Sequence, residues 1–469
     1  MLSFDEKQYT IKTLELDGQT LTYRAYEDIP YVAAPVAKDW QRLHIFAPEG
    51  YFHGENPGSY TKETAPIFFP NTVGGYMPGP RQQPGRDEQG KPNTIFQALC
   101  HGYVVVSPGV RGRGMKKQDG SFIGIAPAGL CDLKATVRFL RHFAGKIPGD
   151  VEKIIANGTS AGGAMASLLG TTGDHPDYEP YLTAMGAAPE SDRIFAASCY
   201  CPITNLDHAD MAYEWEFGGM NEYHRVVFCP PAPGEEKPSF WPVDGVMTKE
   251  QQDLSIQLKG QFPAYLNSLG LRDDKGQPLT LHADGTGSFL DYVKQYVADC
   301  VQQELDKGRD FSTISWAVVE NGTVKDMDFP QYVQYRTRMK PAPAFDNVAM
   351  DTPENELFGN EQTQFRHFTA FSQVNSTVPG EQAEEHTVKM MNPMAYVRDE
   401  KARKAPYFRI RHGAIDRDTS LAISTMLTAA LRQEGIEVQL AFPWGVPHAG
   451  DYDLPDLFQW IDTICKKES

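Results

Sequence analysis

Lys153-Ile154-Ile155-Ala156-Asn157-Gly158-Thr159-Ser160-Ala161-Gly162-Gly163 is the stretch that decides the fold. Ile154 and Ile155 are β-branched strand formers, and Gly158 and Gly162 bracket Ser160 as G-x-S-x-G. Ala161 to Gly170 is small and apolar enough to pack a helix tightly on a sheet. A strand, a sharp turn and a helix in that order hold a serine hydroxyl exposed above a sheet edge, with glycine where strand and helix crowd the turn. The helix that follows points its N-terminus, and its partial positive charge, towards a developing oxyanion. Five residues alone are a weak signal in a chain with 41 glycines; the strand before and the helix after supply the context that strengthens it.

Working outward, residues 66–70 read as a short strand running into Gly74-Gly75, and residues 102–109 as a buried parallel strand. Residues 93–100 have a helical pattern with Asn93 or Thr94 as N-cap, residues 132–143 are helical by spacing, and residues 194–202 are the next strand. This alternation predicts a mostly parallel, doubly wound α/β sheet. Ahead of it, residues 9–16 and 19–26 form a hairpin about Asp17-Gly18, followed by a strand at 43–48. Arg111-Gly112-Arg113-Gly114 punctuates a loop, where arginines either face a ligand or tie the loop down.

The alternation stops at about Cys201 and resumes after Asn392. Between them lie a Pro-rich loop at 230–238 and two amphipathic helices, at 249–270 (Leu254, Ile256, Leu258, Phe262, Tyr265, Leu266) and 289–306. Strands at 407–413 and 437–444 and helices at 420–433 and 457–465 complete the pattern. The expected organisation is a core of residues 1–200 and 393–469 with a lid domain, 201–392, inserted between strands. Such a lid can shape a pocket and exclude water.

The formal charge of −17 (44 basic against 61 acidic residues) argues against nucleic acid or an anionic membrane as partner. No run of 18 apolar residues is present, and Met1–Lys7 lacks a basic stretch followed by an apolar one, so the expected location is the cytoplasm. Seven scattered cysteines fit free thiols better than a disulfide framework. Cys199 and Cys201 flank Tyr200 in the predicted strand and are read as core on one face; no metal-ligand spacing accompanies them.

Chemistry follows from the order of residue types. A nucleophilic Ser160 requires a base, and His448 follows the final strand by a few residues. A carboxylate must fix that imidazole, and Asp416 stands three residues after the glycine that ends the 407–413 strand. His412 competes as base but is placed to shape its turn; Asp418 and Asp451 compete as acid. The acidic turn Asp451, Asp453 and Asp456 could hold a cation but reads as solvated. The serine chemistry calls for no cofactor and no metal.

Gly-Thr-Ser-Ala-Gly-Gly at 158–163, Asn-Thr-Val-Gly-Gly-Tyr at 71–76, Met-Ala-Tyr-Glu-Trp at 211–215, Arg-Ile-Arg-His-Gly at 409–413 and Gly-Asp-Tyr-Asp-Leu at 450–454 together closely resemble bacterial tannases of the lactic-acid-bacterial type. Arg338-Met339-Lys340, residues 343–346 and residues 353–355 match as well, and the resemblance runs end to end. It implies an α/β-hydrolase core with a large inserted lid, and a serine esterase that cleaves galloyl esters. It places the triad at Ser160, Asp416 and His448, and the oxyanion hole at the backbone of Ala161 and of Gly74-Gly75. It assigns the gallate hydroxyls to Lys340, Glu354 and Asp418, and the two ring faces to Ile203 and Pro353.

A galloyl ring carries three adjacent hydroxyls. Two carboxylates that accept and one ammonium that donates are satisfied together only by a polyhydroxylated ring, so a ring lacking a hydroxyl strands a charge. Three other functions are weighed against this one. A broader aromatic carboxylesterase, such as a feruloyl esterase, would use the same triad. A serine peptidase of the prolyl-oligopeptidase kind would bring a propeller-like repeat, and none is visible. A non-catalytic binding protein would show a broken triad, whereas all three residue types stand here.

Overall fold

The structure, a computed structural model, describes residues 2–229 and 239–467. The predicted loop at 230–238 lies outside the described residues. β1 (Thr10–Leu16) and β2 (Gln19–Pro30) form the expected hairpin. Asp17 and Gly18 at its tip take φ of 50° and 79°, the left-handed pair that a two-residue hairpin needs. β3 (Arg42–Pro48), β4 (Pro66–Pro70), β5 (Val104–Pro108), β6 (Asp150–Thr159) and β7 (Ala196–Tyr200) follow. The chain then leaves the sheet and makes two antiparallel pairs, β8 (Glu222–Cys229) with β9 (Ser239–Val246) and β10 (Ala317–Glu320) with β11 (Thr323–Met327). It returns as β12 (Tyr407–Arg411) and β13 (Glu437–Ala441).

The central sheet runs β1-β2-β3-β5-β4-β6-β7-β12-β13. Its first three strands and the β3–β5 pairing are antiparallel, and everything from β5 to β13 is parallel. β4, β5 and β7 are buried at every position, as strands covered on both faces must be. The carboxyl ends of β4, β6, β7, β12 and β13 open on one edge, and the loops that leave them carry the residues of interest.

Helices α1 (Thr94–Cys100), α2 (Ala128–His142) and α3 (Ala161–Thr171) cover the sheet. Asn93 is the N-cap of α1, its side chain accepting from the Phe96 N–H. α2 begins at Ala128, earlier than its spacing predicts. Asp132 is therefore an interior residue, wholly buried and held by Arg111 and Gln41.

Both predicted helices of the inserted stretch form, at Lys249–Ser268 and Ser288–Asp306. On the first, Ser255, Leu258, Phe262 and Leu266 are buried. Ile256 lies off that face and is 68% exposed, contrary to its predicted apolar role. A further helix, Leu206–Phe217, is buried along most of its length. Trp215, Phe262 and Phe289 belong to the same continuous core as the sheet residues, so the insertion is packed on the sheet and not tethered beside it.

Candidate active site

Ser160 sits between β6 and α3 with φ 62° and ψ −123°, a strained conformation for a residue with a side chain. It occupies the N-cap position of α3 without using its side chain as a cap, which leaves the hydroxyl free. The backbone is over-determined: Ser160 N–H donates to Tyr200 O at 2.9 Å, and Ser160 O accepts from Ala164 at 2.9 Å and Ile203 at 3.2 Å. The bracketing glycines are required. A Cβ on Gly158 would lie 2.3 Å from Gly162 O, and one on Gly162 would lie 2.6 Å from Asn71 Oδ1.

Asn71 stitches the elbow to the loop after β4. Its side-chain amide donates to Asn157 O at 3.1 Å and Gly162 O at 3.0 Å, and its oxygen accepts from Val73 N–H at 3.3 Å. The same loop is pinned twice more. Tyr76 hydroxyl donates to Ile203 O at 2.6 Å, and Arg113 Nε donates to Gly75 O at 2.6 Å while pairing with Glu356 at 2.5 Å. Arg113 thus ties the loop down and also lines the cavity beside it; Arg111 is spent on Asp132.

His448 follows β13, and its Nδ1 lies 2.8 Å from Oδ2 of the wholly buried Asp416, which follows β12. The other Asp416 oxygen accepts from Asp418 N–H at 2.8 Å. Burial favours the neutral carboxyl of Asp416, but the His448 charge and hydrogen bond outweigh it and hold Asp416 well below the usual carboxylate range. Burial likewise opposes charge on His448, and the Asp416 and Asp418 carboxylates outweigh it, raising His448 above its ordinary value. His448 and Ser160 line one cavity, and an imidazole fixed by a carboxylate is the type of group that can take a hydroxyl proton.

Among the competitors for these positions, His412 is wholly buried behind Asp416 with Nδ1 at 3.0 Å from Ser424 Oγ, and burial drops it to about 4. Asp451 accepts from Thr94 at 2.7 Å and Asn157 at 2.9 Å, fastening the histidine loop to α1 and β6. Asp453 accepts from Tyr200 at 2.5 Å and pairs with Arg409. Of the acidic turn, Asp456 is exposed as expected, whereas Asp451 and Asp453 are turned to separate partners.

A cavity of about 570 Å³ collects Gly75, Ser160, Ala161, Ile203, Lys340, Pro353, Glu354, Asp418 and His448. Asp416 stands behind His448, and Gly74 lines an adjoining space of about 890 Å³ that also reaches Ser160. Lys340 Nζ lies 2.5 Å from Asp418 Oδ1, donates to Asp418 O at 2.8 Å and sits 4.2 Å from the centre of the Phe345 ring. Asp418 Oδ2 is 3.8 Å from His448 Nε2. Burial raises Glu354, with the Lys340 charge working in the opposite direction. A single cavity thus presents a cation, two carboxyl groups and two apolar side chains beside the serine.

Sequence reasoning gave no role to a set of buried charges from the inserted stretch. Glu214 pairs with Arg338 and Glu216 with Arg336, all four nearly or wholly buried. Arg336 also donates to Asp416 O, and Tyr332 donates to Ala414 O at 2.6 Å. Glu216 accepts from Ser420 Oγ at 2.6 Å and Leu421 N–H at 2.8 Å. The signal was present in two glutamates on the otherwise apolar second half of the Leu206–Phe217 helix, Met211-Ala212-Tyr213-Glu214-Trp215-Glu216-Phe217. The strand reading of Cys201 is also corrected: β7 ends at Tyr200 and Cys201 takes φ 36°, leaving the strand's alternation and approaching His448.

A serine-bearing elbow on a mostly parallel sheet, with an acid and a histidine on later carboxyl-end loops, defines an α/β-hydrolase. Residues 73–213 match the BD-FAE family model. The whole chain is similar to the tannase from Lactobacillus plantarum, at 45% identity and a TM-score of 0.95 over 98% of this chain and 99% of that one. It is similar to the Fusobacterium nucleatum tannase at 43% identity and a TM-score of 0.94 over 99% of both chains. A tannin acyl hydrolase in complex with ethyl gallate is 45% identical, with a TM-score of 0.92 over 98% of each chain. No curated protein matches the chain. The chain belongs to the tannase family.

Proposed function

We propose that this protein is a serine esterase that hydrolyses galloyl esters to gallic acid and an alcohol. The observation that carries this reading is the cavity that the Lys340–Asp418 pair and Glu354 line together with apolar Ile203 and Pro353, and with Ser160 and His448. Apolar faces take an aromatic ring, and the three charged groups take hydroxyls on its edge. The ethyl gallate complex of the similar tannin acyl hydrolase supports the same substrate class.

His448 takes the Ser160 proton as Oγ attacks the ester carbonyl, and Asp416 stabilises the imidazolium. The oxyanion is received by the N–H of Ala161, at the start of α3, and by the Gly74-Gly75 backbone. His448 returns the proton to the departing alcohol oxygen, leaving a galloyl-enzyme. A water then gives its proton to His448 as it attacks the acyl carbon, and gallic acid leaves as His448 returns that proton to Ser160 Oγ. Residues 201–392 act as the lid, since Lys340, Pro353 and Glu354 come from that stretch while Ser160, Asp416, Asp418 and His448 come from the core.

The rates on methyl gallate, methyl ferulate and methyl benzoate test this reading. A large preference for gallate is expected. Equal rates on all three esters would leave a general aromatic esterase, and no turnover of any would remove the serine mechanism.

A further inference from the structure

Cys201 has no part in the chemistry above, yet it lies at its centre. Its sulfur donates to the carbonyl of Ala449, the residue after His448, at 3.4 Å. One ligand atom from each of Cys201, Asp416 and His448 falls within 4.8 Å of the others, the only such group among the described residues. We propose that Cys201, His448 and Asp416 form a binding site for a thiophilic divalent cation, such as Zn²⁺ or Cd²⁺, and that its occupancy arrests the esterase.

The donor set selects the ion. A thiolate, an imidazole and a carboxylate suit zinc and cadmium and are a poor set for magnesium or calcium, which take oxygen. Zinc–ligand lengths of about 2.0–2.3 Å put tetrahedral ligand atoms about 3.3–3.8 Å apart, so the ion takes the place of the hydrogen bond between His448 Nδ1 and Asp416 Oδ2, and that pair must open by about 0.5–1 Å from its 2.8 Å. Charge also balances, because one thiolate and one carboxylate cancel a divalent cation in a site where Cys201 and Asp416 are wholly buried.

A second observation points to the same place. Nε2 of His412 is buried without a hydrogen-bond partner and lies 3.6 Å from Asp416 Oδ2, the oxygen that faces His448. An unsatisfied ring nitrogen there is placed to support the carboxylate once it becomes a ligand.

Binding exchanges protons for metal, and with those protons go the Cys201–Ala449 and His448–Asp416 hydrogen bonds. The Cys201 thiol releases its proton to solvent, the Nδ1 proton of neutral His448 is replaced by the metal while one proton is taken up at Nε2, and the metal forms bonds to sulfur, nitrogen and oxygen. The imidazole proton then resides on Nε2, the nitrogen that must be bare to accept from Ser160. The loss of activity rests on the triad reading of the preceding section; the binding of metal does not.

Titration of chelator-treated enzyme with Cd²⁺ tests both halves, reading methyl gallate hydrolysis and the ultraviolet thiolate-to-cadmium charge-transfer band. One equivalent is expected to produce the band and abolish turnover, with a chelator restoring it and Mg²⁺ without effect. Cys201→Ser should keep its basal rate, lose the band and need at least about tenfold more Cd²⁺ for inhibition. Cys100→Ser, at a partly exposed thiol, should behave as the parent. Ser160→Ala should still give the band, which separates metal binding from catalysis. A band and inhibition unchanged in Cys201→Ser, or no band in the parent, would overturn the proposal. Should Cys201→Ser not fold, cadmium NMR of the parent decides: a shift in the all-oxygen range overturns it, and one in the mixed sulfur–nitrogen–oxygen range supports it.

Discussion

Arg336, from the inserted stretch, is wholly buried and donates both to the backbone carbonyl of Asp416 and to the carboxylate of Glu216. The orientation of the core's acid is therefore held by the segment that also supplies Lys340 and Glu354. Replacing Arg336 with methionine leaves Glu216 buried and uncompensated, at a cost of about 3–5 kcal/mol. Thermal unfolding should show a lower midpoint, and kcat should fall while KM for methyl gallate changes little. An unchanged midpoint would mean that the pair contributes nothing.

Ser160→Ala should reduce turnover by on the order of 10⁴- to 10⁶-fold, since nucleophile and base act as a unit. Gallate should still bind, because the cavity wall is intact. A fluorophosphonate probe is expected to label the parent at Ser160 and to leave the variant unlabelled.

Lys340→Met and Asp418→Asn each remove one side of a 2.5 Å ion pair. Each should lower kcat/KM on methyl gallate by about 10- to 100-fold, the worth of a charge-assisted hydrogen bond. Methyl benzoate, which has no hydroxyl to offer, should be affected far less. Equal losses on the two esters would show that these residues shape the cavity without reading the ring.

The pH dependence has a definite sign. Catalysis needs neutral His448, and its raised value moves the acid limb of the kcat/KM profile above the ordinary imidazole range. Asp418 lies 3.8 Å from Nε2 and favours the imidazolium. Asp418→Asn should shift that limb to lower pH, by about one unit for a charge at this distance in a wet site. Neutral His412 adds no opposing charge. For stability, the raised His448 contributes fully at low pH and loses its contribution as pH rises through its folded value. The depressed Asp416 contributes above its unfolded value and loses it as pH falls through the folded one.

Arg113→Met frees the Gly75 carbonyl and strands Glu356, which also accepts from Gln364 at 2.6 Å. The glycine loop should then lose its fixed register, with kcat falling about tenfold and KM nearly constant, as expected when donors to an oxyanion move slightly out of place. A change confined to KM would assign Arg113 to substrate contact instead.

Local chemistry made much of this protein legible from its sequence. The elbow at Gly158–Gly162, the Asp17-Gly18 hairpin and the Asn93 cap are each fixed by residues a few positions apart, so their conformations follow from glycine freedom, turn preference and side-chain capping. The order Ser160, Asp416, His448 followed from strand ends alone, and the expected roles of Lys340 and Glu354 followed only from resemblance. Tertiary structure decided the rest. That Glu214 and Glu216 are buried opposite Arg338 and Arg336, that Ile256 points to solvent, that Asp451 and Asp453 face separate partners, and that Cys201 meets His448 and Asp416 all depend on segments more than thirty residues apart. A charge on a helix reads the same in sequence whether it meets water or a buried partner; only the packing of the insertion on the sheet determines which, by excluding water from one face and bringing the opposite charge to it.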